Sequence, residues 1–313
     1  MFRCCKGGKG RTGGKGGKGG KGWGNWGKGG KGGKGSAKGS KGKGTNMVVR
    51  QPSAPARVIF TEFVVDRSGS MSSMSGNQYD GANKFLADQQ EAARDTGASG
   101  YISFTTFDSS AEVRLDTVQM DSLQLPARNM PDMLKPRGGT RLIDTMCERL
   151  TELRGNMREC RNQLARTHDG LPKTQRGVFA VLTDGKDNRS SQSAADFQRL
   201  LAEVQAEFKD VTVLFLGANI DAVSTGASFG VSAEYSMNIA ASGRSSAAAF
   251  TSMSSAASRA ARGGRHHGGF TPSERHTSAP PSRHPPQGGR FGSGGGGFGS
   301  NAGSGGRGHH RRP

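Results

Sequence analysis

Five oxygen-bearing side chains stand out in this chain of 313 residues. Asp66, Ser68 and Ser70 fall in the run VVDRSGSM, Thr140 lies in RGGTRL, and Asp184 lies in VLTDGKDN. Two carboxylates and three hydroxyls make an all-oxygen donor set. Hard cations such as Mg²⁺ select such donors in octahedral geometry and keep several waters. Each of the five sits just after an apolar segment or at the start of a helix-like one. The Asp-x-Ser-x-Ser triplet alone reads equally well as a helix-entry loop with capping Asp and Ser. Thr140 and Asp184, at two further element boundaries, tip the reading toward a site. Gly138-Gly139 supports it, since a glycine pair lets the backbone approach closely before Thr140.

The elements that must carry these residues are legible from periodicity. Val58–Val65 is almost continuously apolar, as expected of a central parallel strand covered on both faces. A Ser/Gly/Met loop follows from Asp66 to Gly76, and Tyr79, Ala82, Phe85, Leu86 and Ala93 then recur at helical spacing. Tyr101–Phe107 and Val113–Val118 read as two strands of a hairpin turned at Asp108-Ser109-Ser110. Leu142, Met146, Leu150, Leu153, Met157, Cys160 and Leu164 define a long amphipathic helix. Val178–Thr183 is a strand ending at Asp184, and Phe197, Leu200, Leu201, Val204 and Phe208 mark a helix with Ser191 or Ser193 as N-cap. Val211–Leu216 is a further strand. Short helices are expected around Asp221–Ala227 and Ser245–Ala260, flanking a weak strand near Glu234–Asn238. Strands alternating with helices imply an α/β fold, a doubly wound and mostly parallel sheet with helices on both faces. Ligands of such sheets bind beyond the carboxyl ends of the strands, at the point where the strand order reverses. Asp66 and Asp184 both directly follow strands.

Together these residues resemble the metal-ion-dependent adhesion site of von Willebrand factor type A (VWA) domains: Asp-x-Ser-x-Ser, then a distant Thr and a distant Asp. The resemblance covers about Val58 to Arg262. It looks most like small soluble type A domains of bacterial and phage kind, which run FLLDRSGSM early and FLGAN after a late strand. Here those segments read FVVDRSGSM and FLGANIDA. The resemblance implies a Rossmann-like domain holding Mg²⁺, or Mn²⁺, by the hydroxyls of Ser68, Ser70 and Thr140. Asp66 and Asp184 would contact the ion directly or through water. The remaining position would take a carboxylate from a protein partner.

Charge divides the chain into three. The formal net charge of +19 resolves into +14 for residues 1–50, which contain no acid, −2 for 51–261 and +7 for 262–313. Gly-rich basic segments without aliphatic residues bury too little apolar surface to offset the entropy of ordering. Both tails, 1–50 (Lys/Gly-rich) and 262–313 (Arg/Gly/Ser/His-rich), are therefore expected to be disordered. The intervening 51–261 suits one VWA-like domain with a full core. No secretory signal or membrane-length apolar run is visible. Cys147 and Cys160 lie 13 apart on one expected helix and adjacent Cys4 and Cys5 are unsuited to pairing, which points to reduced thiols and an intracellular, cytoplasmic or nuclear setting.

Competing motifs carry less. Gly226-Ala-Ser228-Phe-Gly230 has hydrolase G-x-S-x-G spelling, but the later histidines, from His266 on, lie in the tail, and it reads as a turn. The Lys/Gly repeat generates glycine-loop spellings without a preceding strand, so a nucleotide site is rejected. His168 sits alone in a polar loop. Trp23 and Trp26 in one tail, and Phe270, Phe291 and Phe298 in the other, are spaced among basic residues in a way that can bind RNA or DNA backbone and stack on unpaired bases. A solubilising polycation is the plainer alternative. Acylation of Cys4 and Cys5 beside the lysine run would offer membrane attachment. The leading expectation is a non-enzymatic, Mg²⁺-dependent protein-binding module. The alternative is a nucleic-acid-associated protein whose tails bind and whose core recruits partners.

Overall fold

Nine of the ten residues of β1 (Arg57–Asp66) are buried, and this strand takes the middle of a six-stranded sheet ordered β3-β2-β1-β4-β5-β6. The computed structural model describes residues 57–74, 76–167, 174–240, 243–263 and 268–278. β1 pairs in parallel with β2 (Ser99–Phe107) and β4 (Thr174–Thr183), and β5 (Val211–Ala218) and β6 (Ser236–Ile239) extend the parallel set. β3 (Ala111–Gln119) closes a hairpin onto β2 and is the antiparallel edge. The chain builds outward from β1 to β3, then returns to lay β4, β5 and β6 on the other side. The order therefore reverses between β1 and β4, where a doubly wound sheet opens a crevice at its carboxyl edge.

Alternation along β1 sends Ile59, Phe63 and Val65 to one face and Val58, Phe60 and Val64 to the other. The first face is covered by α1 (Asn77–Asp95) and α6 (Gly243–Arg262), the second by α3 (Leu142–Thr167) and α4 (Ala194–Glu207). Gly81 lets α6 approach α1, since a Cβ there would lie 2.1 Å from the Phe250 ring. Ser193 caps α4 in a reciprocal capping box with Asp196, which selects one of the two expected caps. Short α2 (Met130–Met133) precedes the Thr140 segment, and α5 (Ala222–Ser228) follows β5.

An ion pair is built into the interior between β1 and α3. Glu62, in mid-β1, is 1 % exposed and receives Arg149 Nε at 2.8 Å and Arg149 Nη2 at 3.3 Å. Burial pushes the Glu62 carboxyl upward, and the Arg149 guanidinium opposes that push. Cys147 and Cys160 are both buried on α3 and form no disulfide, as expected from their spacing. No helix among the described residues is long and apolar enough to cross a membrane. Val113, on edge strand β3, is the one large hydrophobic exposed among them.

Some expectations need revision. Gly226 to Ser228 form the end of helix α5 rather than a turn, and Ser228 Oγ donates to the Thr225 carbonyl at 2.7 Å. No strand-to-helix elbow surrounds that serine. The last strand is Ser236–Ile239, after a 3₁₀ turn at Ala233–Tyr235, and α6 is a full 20-residue helix rather than a short one. The boundary expected at 261/262 falls in the last turn of α6, and the fold continues beyond it. Phe270 is buried in the core, its N–H donates to the Glu234 carbonyl at 2.7 Å, and α7 (Pro272–Ser278) follows. Arg275 Nη1 reaches the Ser236 carbonyl at 2.6 Å, so this strap lies along the β6 edge. Phe270 is a core residue, unavailable to stack on bases. Trp23, Trp26, Phe291 and Phe298 lie outside the described residues, as do Cys4, Cys5 and His168.

Candidate metal centre

At the carboxyl edge, β1 ends with its last residue converted from a ladder member into an acceptor. Asp66 Oδ1 takes the N–H of Ser68 at 2.6 Å, an Asx turn that bends the chain into a 3₁₀ helix, Gly69–Met74. Met71 and Met74 are buried and anchor that helix to the core. The other oxygen, Asp66 Oδ2, accepts from Thr183 Oγ1 at 2.6 Å, which ties the end of β1 to the end of β4. Ser68 and Ser70 stand 3.1 Å apart by their hydroxyls, and Ser70 donates to Asp184 Oδ1 at 2.7 Å. Thr140 joins at Gly185: a Cβ on this glycine would lie 3.0 Å from Thr140 Oγ1 and 3.6 Å from Ser70 Oγ. The two hydroxyls flank the same small gap. Thus all five residues singled out in the sequence meet at the β1/β4 crevice. Asp66, Ser68, Thr140 and Asp184 are buried, while Gly69 and Ser70 open to solvent.

The segment presenting Thr140 has its backbone fixed residue by residue. Arg137 N–H donates to the Arg67 carbonyl (2.8 Å), Gly139 N–H to Ser109 Oγ (2.9 Å), Thr140 N–H to Asn188 Oδ1 (2.9 Å) and Arg141 N–H to the Asp108 carbonyl (2.8 Å). Gly69 N–H meets the Gly138 carbonyl at 3.3 Å, which links this segment to the serine loop. Gly138 has φ 68°, a left-handed value that disfavours other residues. From the third side, Asp187 Oδ2 accepts the Ile143 N–H at 2.8 Å, while Asp144 accepts the N–H groups of Ser191 and Gln192. The 184–193 loop and the start of α3 are therefore stitched together.

Arg67 has a separate task. It is 2 % exposed and turns away from Asp66, donating through Nε to Asp108 Oδ2 at 2.9 Å and through Nη1 to the Met133 carbonyl at 3.3 Å. Arg137 joins Asp108 at 2.8 Å, and Glu112 takes a guanidinium nitrogen from each arginine. Burial would raise the Asp108 carboxyl, but the Arg137 and Ser110 hydrogen bonds and both arginine charges hold it below its usual range.

The electrostatics of the five residues run the other way. Burial pushes Asp66 up to about 6, with the nearby Asp184 charge adding to the rise, and burial also raises Asp184. Neither aspartate forms an ion pair among the described residues. Two buried carboxylates without a basic partner, completed by three hydroxyls, are a donor set with a deficit of positive charge. That arrangement fits a hard divalent cation. Among the described residues no group of three or more His, Cys, Asp and Glu side chains is placed to hold a metal ion, so this candidate set depends on its hydroxyls. Thr183, Asn188, Asp108 and Ser109 belong to the constellation and were not singled out in the sequence. Thr183 directly precedes Asp184 and Asn188 lies in the same KDN run, so adjacency was the available signal for both; Asp108 and Ser109 carried only a turn signal.

No protein-family model and no curated protein matches the chain. Solved structures do. Proximal thread matrix protein 1 from the mussel byssus aligns with a TM-score of 0.43 at 16 % identity, covering 66 % of this chain and 47 % of that one. A von Willebrand factor type A structure from Catenulispora acidiphila aligns at 0.40 and 16 %, covering 65 % and 43 %. The SpRpn10 VWA domain aligns at 0.42 and 12 %, covering 67 % of this chain and 100 % of its own. The chain spans less than half the length of the mussel and Catenulispora proteins. A further mussel structure is described as having a zinc-occupied MIDAS motif. The α/β class of this chain stands on its own strand order and register.

Proposed function

We propose that the chain is a non-enzymatic protein-binding module that holds Mg²⁺, or Mn²⁺, at Asp66, Ser68, Ser70, Thr140 and Asp184. The observation that carries this reading is the pair of buried carboxylates without an ion-pair partner, beside the hydroxyls of Ser68, Ser70 and Thr140 at one crevice. When bound, such an ion supplies a Lewis-acidic position for an anionic oxygen from outside. The chain's own residues do the rest. Asp66 and Asp184 supply negative charge, the three hydroxyls supply neutral oxygens, and the exposed Gly69-Ser70 corner leaves the approach open. A partner carboxylate suits that opening. Absence of a recognisable nucleophile–base pair among the five supports binding rather than turnover.

The test is calorimetric titration of Mg²⁺ and Mn²⁺ into the full chain, paired with partner capture in Mg²⁺ and in EDTA. Millimolar or tighter binding, lost in Thr140→Ala and Asp184→Asn, is expected, with capture abolished by chelation. Cation binding that is absent, or unchanged in both variants, would sink the site.

A further inference from the structure

Two cations at the rim of this crevice have no structural employment. Lys186 and Arg189 are exposed and enter no ion pair among the described residues, unlike Arg67, Arg137 and Arg141 on the neighbouring segments. Their positions are nevertheless fixed. Lys186 follows Gly185, the glycine flanked by Thr140 Oγ1 and Ser70 Oγ. Arg189 lies across the Thr140 segment: a Cβ on Gly139 would come within 3.0 Å of its Cγ and Nε. The backbone beneath is held by Asp187, whose Oδ1 accepts the N–H groups of Arg189 at 3.2 Å and Ser190 at 2.9 Å. Asp187 thereby spends its oxygens on main-chain donors and Ser190 rather than on either cation. Asp221, beyond β5, accepts the Ser224 N–H as the cap of α5.

From this we infer that Lys186 and Arg189 select an acidic sequence: a peptide segment that offers one carboxylate to the metal position and further carboxylates within a few residues of it. The inference rests on the metal reading above and adds the partner's chemistry. Exposed cations on a loop with a fixed backbone contribute recognition of charge pattern and faster encounter more than raw affinity. The arginine fork matches a carboxylate in bidentate fashion, whereas Lys186 supplies a point charge.

The test uses the full chain and two synthetic peptides in Mg²⁺, one with a single Asp in a Gly/Ser sequence and one with three additional Asp residues around it. Wild type is compared with Lys186→Ser/Arg189→Ser. Both side chains are exposed and enter no ion pair among the described residues, so the fold should tolerate their loss, and the basic tails contribute equally to both proteins. The double variant should bind the acid-rich peptide on the order of tenfold more weakly and the single-Asp peptide within about twofold of wild type, with the difference shrinking as salt rises. An unchanged affinity, or equal losses on both peptides, overturns the inference while leaving the metal site standing. A single-stranded oligonucleotide that displaces the acid-rich peptide from wild type but not from the double variant overturns it in favour of phosphate. Binding of both peptides to wild type that EDTA leaves unaltered sinks the metal reading and this inference with it.

Discussion

On the metal reading proposed above, Asp66 is a side chain that would serve a ligand at the expense of the fold. It is wholly buried, its carboxyl is raised by burial to about 6, and its hydrogen bonds come from Ser68 and Thr183 rather than from a cation. Asn in its place keeps an acceptor for Ser68 and gives Thr183 a donor, while removing the buried charge. Without metal, Asp66→Asn should therefore raise stability by about 1 kcal/mol at neutral pH, measured by chemical denaturation in EDTA. In Mg²⁺ the order should reverse, because only wild type gains stability from binding. A variant less stable than wild type in EDTA would make Asp66 a structural residue. The opposite signs of the two measurements distinguish a functional side chain from a packed one.

At the level of elements, the strap formed by Phe270 and α7 illustrates what periodicity misses. Phe270 lies among Gly, Arg and His, a composition that reads as tail, yet it is 5 % exposed. Its burial depends on docking beside Glu234, 36 positions earlier in the chain, and no local pattern announces such a partner. Phe270→Ala should destabilise by about 3 kcal/mol, read from the denaturation midpoint; a change under about 0.5 kcal/mol would mean that the strap is not part of the cooperative unit. By contrast, β1, β4 and α3 were legible because their apolar runs and steps are local. The same division holds at the site. Asp66 and Asp184 announce themselves as strand-terminal acids, and Thr140 follows a glycine pair. Asn188, Asp108 and Ser109 act by receiving N–H groups from the distant 137–141 segment, so their roles exist only in three dimensions. A second prediction belongs to the α3–α4 contact. Hydrogen bonds from Arg158 and Arg154, with their charges, hold Glu207 at about 2, far below its usual 4.5. A depressed carboxylate stabilises fully above its unfolded value, so this contribution should be intact above pH 4.5 and fade as pH falls toward 2. Glu207→Gln should remove on the order of 1–2 kcal/mol at pH 7 and almost nothing near pH 2. Equal losses at both pH values would contradict the pairing.

For the whole molecule, charge is segregated: +14 for residues 1–50 and +5 for residues 279–313 flank a neutral 51–278. If the flanks serve RNA or DNA, removing residues 1–50 should weaken binding more than removing 279–313. The full chain should also show the steep salt slope of phosphate neutralisation, roughly 0.7 in log K per phosphate on single strands. Replacing Trp23 and Trp26 by Ala should then weaken single-strand binding more than duplex binding. A salt titration on both probes decides, and insensitivity to the 1–50 deletion would leave the flanks as solubilising charge. The described surface, meanwhile, exposes one large hydrophobic, Val113, on the far edge strand from β6. On the proposed reading, a partner docking at the β1/β4 crevice would find no exposed apolar platform among the described residues to dehydrate. Its association should carry little of the negative heat-capacity change that marks apolar burial. Isothermal titration at several temperatures would show nearly constant enthalpy, and a steep slope would reveal an apolar contact beyond the crevice. On the proposed reading, such binding would behave as a latch thrown by cation supply, holding while the metal lasts and releasing when it is withdrawn.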